Sequence, residues 1–353
     1  MIKITPPICV KERQSGIELL RLIAMFLVIG VHANFLALGE PTKQVLLESP
    51  FAETMRTLAD MLCIVCVNVF VMISGWFGIR PSVKGVSNFL FQIIFFMVGT
   101  YCVTCLCGIN HLSLGGIAQC LLLLPNNWFV KAYLLLYVLS PVLNAYVSTA
   151  DRHVQRAVLM AFFGFQFIYG WTFPGMDSFD RGYTTISFIG LYLLMQYIRK
   201  SENKIFNYRW GMDMALYVAC SIVSALLYIG VTLYRGSAIL QLTAYNSPLV
   251  ILASLYLFLA FSKMHFCSKV VNKLAKSSFS VYLLHVSPFV LMPIYVPMIQ
   301  HIYAERSGVM CMVMILGVIT AFYISALAID QIRLLIWNRL VKYMKICDFK
   351  GCP

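Results

Sequence analysis

Stretches of about twenty consecutive apolar residues recur along the whole chain, and they restrict the possible fold more than any other feature. Each stretch holds at most one or two charges, as a helix that crosses a bilayer requires. Only 12% of the residues are charged, against about 25% in a typical soluble domain. The sequence therefore predicts an all-α polytopic membrane protein, a bundle of about ten transmembrane helices, and excludes an ordinary soluble protein.

The predicted spans follow one another in a single membrane domain. They cover residues 16–38, 57–79, 86–108, 128–147, 154–171, 183–198, 211–233, 248–262, 277–300 and 308–332. Segment 112–124 is too short to cross alone, and we predict an interfacial or re-entrant piece there. This assigns 1–15 to an N-terminal tail, 16–335 to the membrane domain and 336–353 to a C-terminal tail.

The distribution of basic residues predicts the orientation of the bundle. With ten spans, 20 of the 27 Lys and Arg residues fall in the tails and the even-numbered loops, and only five fall in the opposite loops. These five are Lys43, Arg56, Arg181, Arg235 and Arg306. Because cytoplasmic loops carry the excess of basic residues, both termini are predicted in the cytoplasm. The same bias explains the net charge of +13 without a nucleic-acid partner.

The first span carries ionisable groups at membrane depth, where they are costly and point to function. Arg21 and His32 lie eleven steps apart, so an α-helix places them on nearly the same face, about 16 Å apart along its axis. Glu18 lies one turn before Arg21 and can pair with it. Arg21 is then either a snorkelling side chain or a functional cation. His32 either bonds a neighbouring helix or acts as a general base.

The second and ninth spans add further polar groups. Ser74 and Gly75 permit close helix packing, and Arg80 follows at the cytoplasmic end. In the ninth span, Tyr282 and His285 follow a serine-rich start. Counting from residue 277 as the membrane face places His285 about 12 Å deep, on the inner side of His32. A structural role for His285 is an equally good interpretation.

The fourth span is predicted to begin at the outer interface with Trp128. Lys131 and Tyr133 follow at increasing depth, and Tyr133 reaches the level of His32. An aromatic belt explains the rings equally well, and Lys131 can snorkel outward. Asp60, at the outer start of the second span, either orients an imidazole or lies in water, and we favour water.

These residues resemble the acyltransferase 3 family of bacterial integral membrane O-acyltransferases. Three features carry the resemblance: an acidic residue, Arg21 and His32 in the first span; Ser74-Gly75 in the second; and Ser-Phe-Ser-Val-Tyr282-Leu-Leu-His285 in the ninth. The region from Trp128 to Tyr137 also resembles the family's fourth span. The resemblance covers about residues 15–335.

The resemblance implies transfer of an acyl group, usually acetyl from acetyl-CoA, to a hydroxyl of a surface polysaccharide or its lipid-linked precursor. It implies catalytic roles for His32, Arg21 and Glu18, with His32 acting as a general base or as an acyl carrier. Substrate or donor binding is implied for Arg80, Ser74, Gly75, Trp128, Lys131, Tyr133, Tyr282 and His285. No metal and no permanently bound cofactor are expected, because acetyl-CoA or another acyl-CoA is a substrate.

The resemblance also implies a location and partners. We expect a multi-pass protein of the bacterial cytoplasmic (inner) membrane whose partners are acyl-CoA, a glycan or glycolipid acceptor and the lipid bilayer. Other polysaccharide-biosynthesis proteins or a second copy of the chain are further partners to consider. A transporter or flippase of a glycoconjugate is the alternative function, because ten spans with a polar interior suit it too. A noncatalytic member of an export complex is a third.

Overall fold

The computed structural model describes residues 14–122, 127–173, 175, 177–201 and 208–344. Every regular element within these residues is helical, which confirms the predicted all-α class. Most of the predicted N-terminal tail and residues 345–353 of the predicted C-terminal tail lie outside the described residues. The last helix continues to Met344, past the predicted domain end at 335, and the division into a membrane domain and tails stays a prediction.

The α-helices are numbered here in chain order. They are α1 Ser15–Val31, α2 Lys43–Glu48, α3 Pro50–Cys63, α4 Cys66–Phe77, α5 Val83–Leu106, α6 Leu114–Leu122, α7 Trp128–Thr149, α8 Arg152–Phe165, α9 Thr185–Arg199, α10 Trp210–Arg235, α11 Pro248–Ser262, α12 Lys269–Leu274, α13 Ser278–His285, α14 Val296–Glu305 and α15 Gly308–Met344. In the part of the chain that the structure describes, three π-helical segments continue or precede these helices, at His32–Leu36, Gln166–Thr172 and Leu291–Tyr295.

Among the described residues, six helices are long and apolar enough to cross a membrane. The protein is therefore a multi-pass membrane protein, but the count of ten is not confirmed. The six helices are Ser15–Leu36, Pro50–Phe77, Val83–Leu106, Trp128–Thr149, Trp210–Arg235 and Gly308–Tyr343. The predicted sixth and eighth spans correspond to α9 and α11, which have 15 residues each. A helix of that length rises about 22 Å, less than the roughly 30 Å hydrocarbon core.

The predicted ninth span is not one continuous helix. Helix α13 ends at His285, a π segment follows at Leu291–Tyr295, and α14 begins at Val296. Pro288 falls in the gap and Pro293 in the π segment. Proline lacks a backbone N–H and clashes with the preceding turn, so the continuous span expected from hydropathy is wrong in this region. The break leaves His285 at the end of a short buried helix.

Helix α1 lies at the centre of the bundle and carries the first group of candidate residues. Its side chains Leu20, Ala24 and Ile29 are fully buried, because it packs against α3, α4, α11, α13 and α15. The Tyr295 hydroxyl donates to the Ile29 carbonyl at 2.9 Å. Contacts on all sides fix the rotation of α1, and therefore the directions in which Arg21 and His32 project.

Local sequence signals explain where several helices begin and end. The Ser82 hydroxyl accepts from the Gly85 N–H at 3.0 Å and caps α5, and Thr42 caps α2 in the same way. Helix α10 ends at Arg235, and Gly236 follows it with a φ of 85°. Such a left-handed residue commonly ends a helix, and glycine adopts it without steric cost.

A buried ion pair within α15 is joined to α5 by hydrogen bonds. Arg333 is 1% exposed, and its guanidinium donates two hydrogen bonds to Asp330, at 2.8 and 3.0 Å. Asn88 accepts a third bond from Arg333 at 2.7 Å, and Gln92 donates to Asp330 at 2.9 Å. Arg333 is one of the 20 basic residues that the sequence assigns to the tails and even-numbered loops. In the protein it is buried, and the Asp330 carboxylate neutralises its charge.

Gly75 is a packing residue. A Cβ atom at this position would lie 2.7 Å from the Tyr192 carbonyl oxygen and 2.9 Å from the Tyr192 Cα. Both are backbone atoms of α9, and backbone cannot yield as a flexible side chain does. The surroundings of Gly75 therefore support the prediction that this residue permits close packing of two helices.

We expect Gly75→Ala to lower the free energy of unfolding by about 1–3 kcal/mol, as overpacked sites do. Gly99→Ala is the matched control, because Gly99 lies inside α5 and a Cβ there would meet nothing within 4 Å. That control should be neutral or slightly stabilising, since alanine favours a helix. Thermal unfolding of both variants in detergent measures the difference, and equal midpoints would contradict the close approach of α4 and α9.

Candidate active site

Two histidines meet in the interior of the bundle. The His32 Nδ1 lies 2.8 Å from the His285 Nε2, although 253 residues separate them in the chain. The expectation that His285 lies well inward of His32 is therefore wrong. It took Ser277 as the membrane face, whereas Ser277 is fully buried. Helix α13 thus begins inside the protein and reaches His32.

The hydrogen bonds of this pair define where its protons lie. The His285 Nδ1 faces the Val281 carbonyl oxygen at 2.5 Å, and a carbonyl can only accept, so this nitrogen carries a proton. His285 is fully buried, where a neutral ring is favoured, so its Nε2 has a free lone pair and accepts from the His32 Nδ1–H. A neutral His32 ring carries only one proton, so its Nε2 is then unprotonated. A base in this state, oriented by a second group, can remove a proton from a substrate.

The Arg21–Glu18 pair lies nearer the start of α1. The Arg21 Nε is 3.3 Å from a Glu18 carboxylate oxygen, as the spacing in the sequence predicted. Glu18 is 4% exposed, and the guanidinium lies over the Phe70 ring at 5.6 Å. Arg21 thus keeps a compensated charge inside the protein, in electrostatic reach of Tyr133.

Ser74 and Tyr133 join α4 to α7. Their hydroxyl oxygens are 3.0 Å apart. Ser74 donates its proton to the Phe70 carbonyl at 3.2 Å, so Tyr133 is the donor between the two. Tyr133 therefore pairs with Ser74, whereas the partner of His32 is His285.

The Tyr282 hydroxyl is a buried polar group without a hydrogen-bond partner among the described residues. Its ring packs against Phe279 at 5.6 Å, Phe129 at 5.4 Å and His285 at 6.2 Å. Buried hydroxyls nearly always have a partner. An unmatched donor one turn before His285 is what an active site keeps for a substrate oxygen.

The remaining predicted site residues are not gathered at the histidines. Trp128 packs with Tyr183 and Tyr245, at ring distances of 4.4 and 5.9 Å, in an aromatic cluster. Lys131 and Arg80 are both exposed. Lys131 thus fits the snorkelling interpretation, and Arg80 lies on the loop that links α4 to α5.

Comparison with known protein families decides the kind of protein. A family model described as "Acyltransferase domain" matches residues 14–329, which include both histidines, Arg21 and Tyr282. The chain belongs to the acyltransferase 3 family. The searches of curated proteins and of solved structures gave no match. The protein is a membrane acyltransferase, and the resemblance of its first, second and ninth spans identified the family correctly.

The acyltransferase also has buried polar residues on α3 that the sequence reasoning misjudged. Asp60 was predicted to lie in water but is 3% exposed, and it faces the Asn34 side chain. Asn34 follows His32 by two residues and donates to the Arg56 carbonyl at 2.9 Å. A signal was present: Glu53, Thr57 and Asp60 follow the spacing of one helical face, and all three are buried.

Proposed function

We propose that this acyltransferase moves an acyl group, most simply acetyl from acetyl-CoA, to a hydroxyl of a surface polysaccharide or its lipid-linked precursor. The observation that carries the proposal is the His32–His285 pair, whose hydrogen bonds leave the His32 Nε2 free. A histidine placed in this way suits the activation of an alcohol. A transporter is expected to have interrupted spans at corresponding positions of two halves, and the run of Pro288, Pro293 and Pro297 in the ninth span has no clear counterpart in the first half.

The reaction proceeds by proton removal and direct attack. The acceptor hydroxyl gives its proton to the His32 Nε2, and its oxygen forms a bond to the thioester carbonyl carbon. The tetrahedral intermediate then collapses, the carbon–sulfur bond breaks, and the CoA sulfur takes the proton back from His32. The His32 Nδ1–H stays bonded to His285 throughout, which stabilises the transient imidazolium and holds the ring in place.

The other polar groups have supporting roles in this proposal. The Tyr282 hydroxyl donates to the oxyanion of the tetrahedral intermediate. Arg21, held by Glu18, faces the acyl-CoA, and the exposed Arg80 contacts its phosphates, which a guanidinium binds well. Ser74 and Tyr133 line the donor side.

The charge bias of the sequence supports a location for the enzyme. We propose that the acyltransferase lies in the bacterial inner membrane with both termini in the cytoplasm. Arg80 then faces the cytoplasm, where acyl-CoA is made, and the end of α1 that carries His32 is turned to the outer side. Donor and acceptor thus approach the histidine pair from opposite ends.

The test is transfer of label from acetyl-CoA in membrane vesicles of cells that make the protein. We expect labelled acetyl groups to enter the glycan fraction with release of free CoA thiol, and vesicles without the protein to show neither. A parallel reaction with labelled succinyl-CoA identifies the donor. Thiol release that does not depend on the protein would overturn the proposal.

Tyr282→Phe tests whether the Tyr282 hydroxyl has a catalytic or a structural role. We expect the rate of thiol release to fall by about 10²-fold, the usual loss for one donor to an oxyanion. Stability should be unchanged or slightly higher, because the change removes a buried hydroxyl that has no partner. The control is Tyr295→Phe, whose hydroxyl donates to Ile29 and whose loss should lower stability. A Tyr282→Phe enzyme with full activity would remove the oxyanion role.

A further inference from the structure

Aromatic rings form a continuous row of contacts between Arg21 and the histidine pair. The Arg21 guanidinium lies 5.6 Å from the Phe70 ring centre, and the Phe70 and Phe129 ring centres are 5.8 Å apart. The Phe129 ring centre lies 5.4 Å from that of Tyr282, which lies 6.2 Å from the His285 ring centre. Rings at these distances are in direct contact. The row therefore connects the cation of the donor side to the partner of the proposed base.

Phe279 completes this row as a wall. Its ring is stacked on Tyr282 at 5.6 Å and on Phe89 at 5.3 Å, with interplanar angles of 13° and 22°. Its ring centre also lies 6.1 Å from that of Phe129 and 6.2 Å from that of Phe70. We call Phe70, Phe129, Phe279 and Tyr282 the aromatic wall, and all four side chains are buried. The wall is apolar except for the Tyr282 hydroxyl.

The Tyr282 hydroxyl determines where the acyl group would begin. In the proposed reaction this hydroxyl donates to the oxyanion, so the carbonyl carbon lies within about 4 Å of the hydroxyl oxygen, the sum of a hydrogen bond and a carbon–oxygen bond. That carbon carries two substituents, the CoA sulfur and the acyl chain. The CoA arm extends toward Arg21, along Phe70 and Phe279. The acyl chain therefore extends away from Arg21.

Phe129 lies on the side of the wall that is farther from Arg21. It precedes Tyr133 by four residues in α7, a distance of about 6 Å along the helix axis, and Tyr133 is the residue of this helix in electrostatic reach of Arg21. Because Phe129 also contacts Tyr282 directly, an acyl chain that grows from the carbonyl carbon meets its ring.

The neighbours of Phe129 hold its ring in place. The side chain is 3% exposed, and its ring centre lies 5.8 Å from that of Trp128 and 5.6 Å from that of Phe188. Phe188 belongs to α9 and is fully buried. The Thr185 hydroxyl of the same helix donates to the Ala132 carbonyl of α7 at 3.3 Å. A ring packed on several sides forms a fixed boundary, because close-packed interiors yield little.

We propose that Phe129 closes the acyl pocket of this enzyme and limits the transferred group to two or three carbons. The inference rests on the proposed function and adds the class of acyl group. Acetyl and propionyl fit beside Tyr282, whereas butyryl and succinyl, which have four carbons, overlap the Phe129 ring. Phe279 lines the path of the CoA arm and does not select the acyl group.

The test compares four donors in membrane vesicles that contain the full-length protein and the acceptor of the cell. The donors are acetyl-CoA, propionyl-CoA, butyryl-CoA and succinyl-CoA, and thiol release gives a relative kcat/KM for each. One methylene group changes such a ratio by about 10- to 200-fold in an apolar pocket. We therefore expect the wild type to prefer acetyl-CoA over butyryl-CoA by about 100-fold.

Variants of three buried phenylalanines separate the acyl pocket from general packing. Phe129→Leu removes part of the boundary and should raise the ratio of butyryl to acetyl turnover about tenfold, and Phe129→Met is a second variant that keeps more of the volume. Phe279→Leu should lower turnover of all donors alike and leave this ratio unchanged. Phe96→Leu is the matched control. It removes a ring that is 2% exposed and contacts Phe95 at 5.6 Å, and it should leave the ratio unchanged.

The outcomes separate this inference from the proposed function. A ratio of two donors in the same vesicles does not depend on how much of a variant folds. An unchanged ratio in both Phe129 variants would overturn the inference alone, as would equal use of succinyl-CoA and acetyl-CoA by the wild type. An equal rise in Phe279→Leu or Phe96→Leu would also overturn the role of Phe129. Thiol release that is independent of the protein with all four donors would instead remove the proposed function.

Discussion

Replacing His32 by alanine should lower the rate of acyl transfer from acyl-CoA by about 10³-fold, within the range for loss of a general base. The unfolding midpoint should fall only modestly. The buried His285 Nε2 loses its donor, but His285 keeps its bond to Val281 and His32 is partly exposed. Thiol release from acetyl-CoA and thermal unfolding, measured on the same preparation, test both expectations.

His301 supplies the matched control for His32. It is exposed, and its Nε2 lies 3.5 Å from a carboxylate oxygen of Glu305, which is also exposed. His301→Ala should therefore retain full activity. His285→Gln offers a second comparison, since its side-chain oxygen can still accept from the His32 Nδ1–H. We expect this variant to lose less activity than His285→Ala. Equal rates in His32→Ala and His301→Ala would exclude His32 as the base.

Replacing Asp330 by alanine should have the largest effect on stability, a loss of about 3–5 kcal/mol in the free energy of unfolding. The change leaves the Arg333 guanidinium buried at 1% exposure without the carboxylate that neutralises it. Truncating one partner of a buried pair costs far more than the pair itself contributes, because the remaining charge is desolvated and unpaired. Chemical denaturation in detergent measures the loss.

Two further variants test this explanation. Arg339 lies six residues after Arg333 in α15, at an exposed position. Arg339→Ala should change the free energy of unfolding by no more than about 0.5 kcal/mol. Replacing Asp330 and Arg333 together by leucine should recover most of the lost stability, because no charge then remains buried. A double variant as unstable as Asp330→Ala would show that the effect does not come from an unpaired charge.

The fold class and the family could be predicted from the sequence because they depend on local signals. The apolar stretches that became α1, α5 and α10 give unambiguous helices, and the Glu18–Arg21 pair lies within one turn of one helix. The ninth span shows the limit of this reasoning. Hydropathy treats residues 277–300 as one stretch. The helix nevertheless ends at His285, because the prolines that follow remove backbone hydrogen bonds.

The candidate site depends on contacts between distant parts of the chain, which the sequence does not encode locally. Both histidines were identified, yet their contact joins residues 253 positions apart. Helix α13 brings His285 to His32 because it begins at the buried Ser278 and not at the membrane face. Tyr133 was expected at the level of His32, but depth does not determine the direction of a side chain, and the Tyr133 hydroxyl contacts Ser74. Asp60 was misplaced for the same reason.

The π segment that begins at His32 has a consequence for chain length. A π turn is a helix with one additional residue, and it commonly occurs at functional sites. Deleting one residue from 33–36 could let the turn close into an ordinary α-helix while the stretches on either side keep their directions. An equivalent deletion between Arg21 and His32 would rotate the imidazole by about 100° around the axis. We therefore expect a chain that is shortened by one position just beyond His32 to keep the two imidazoles in contact.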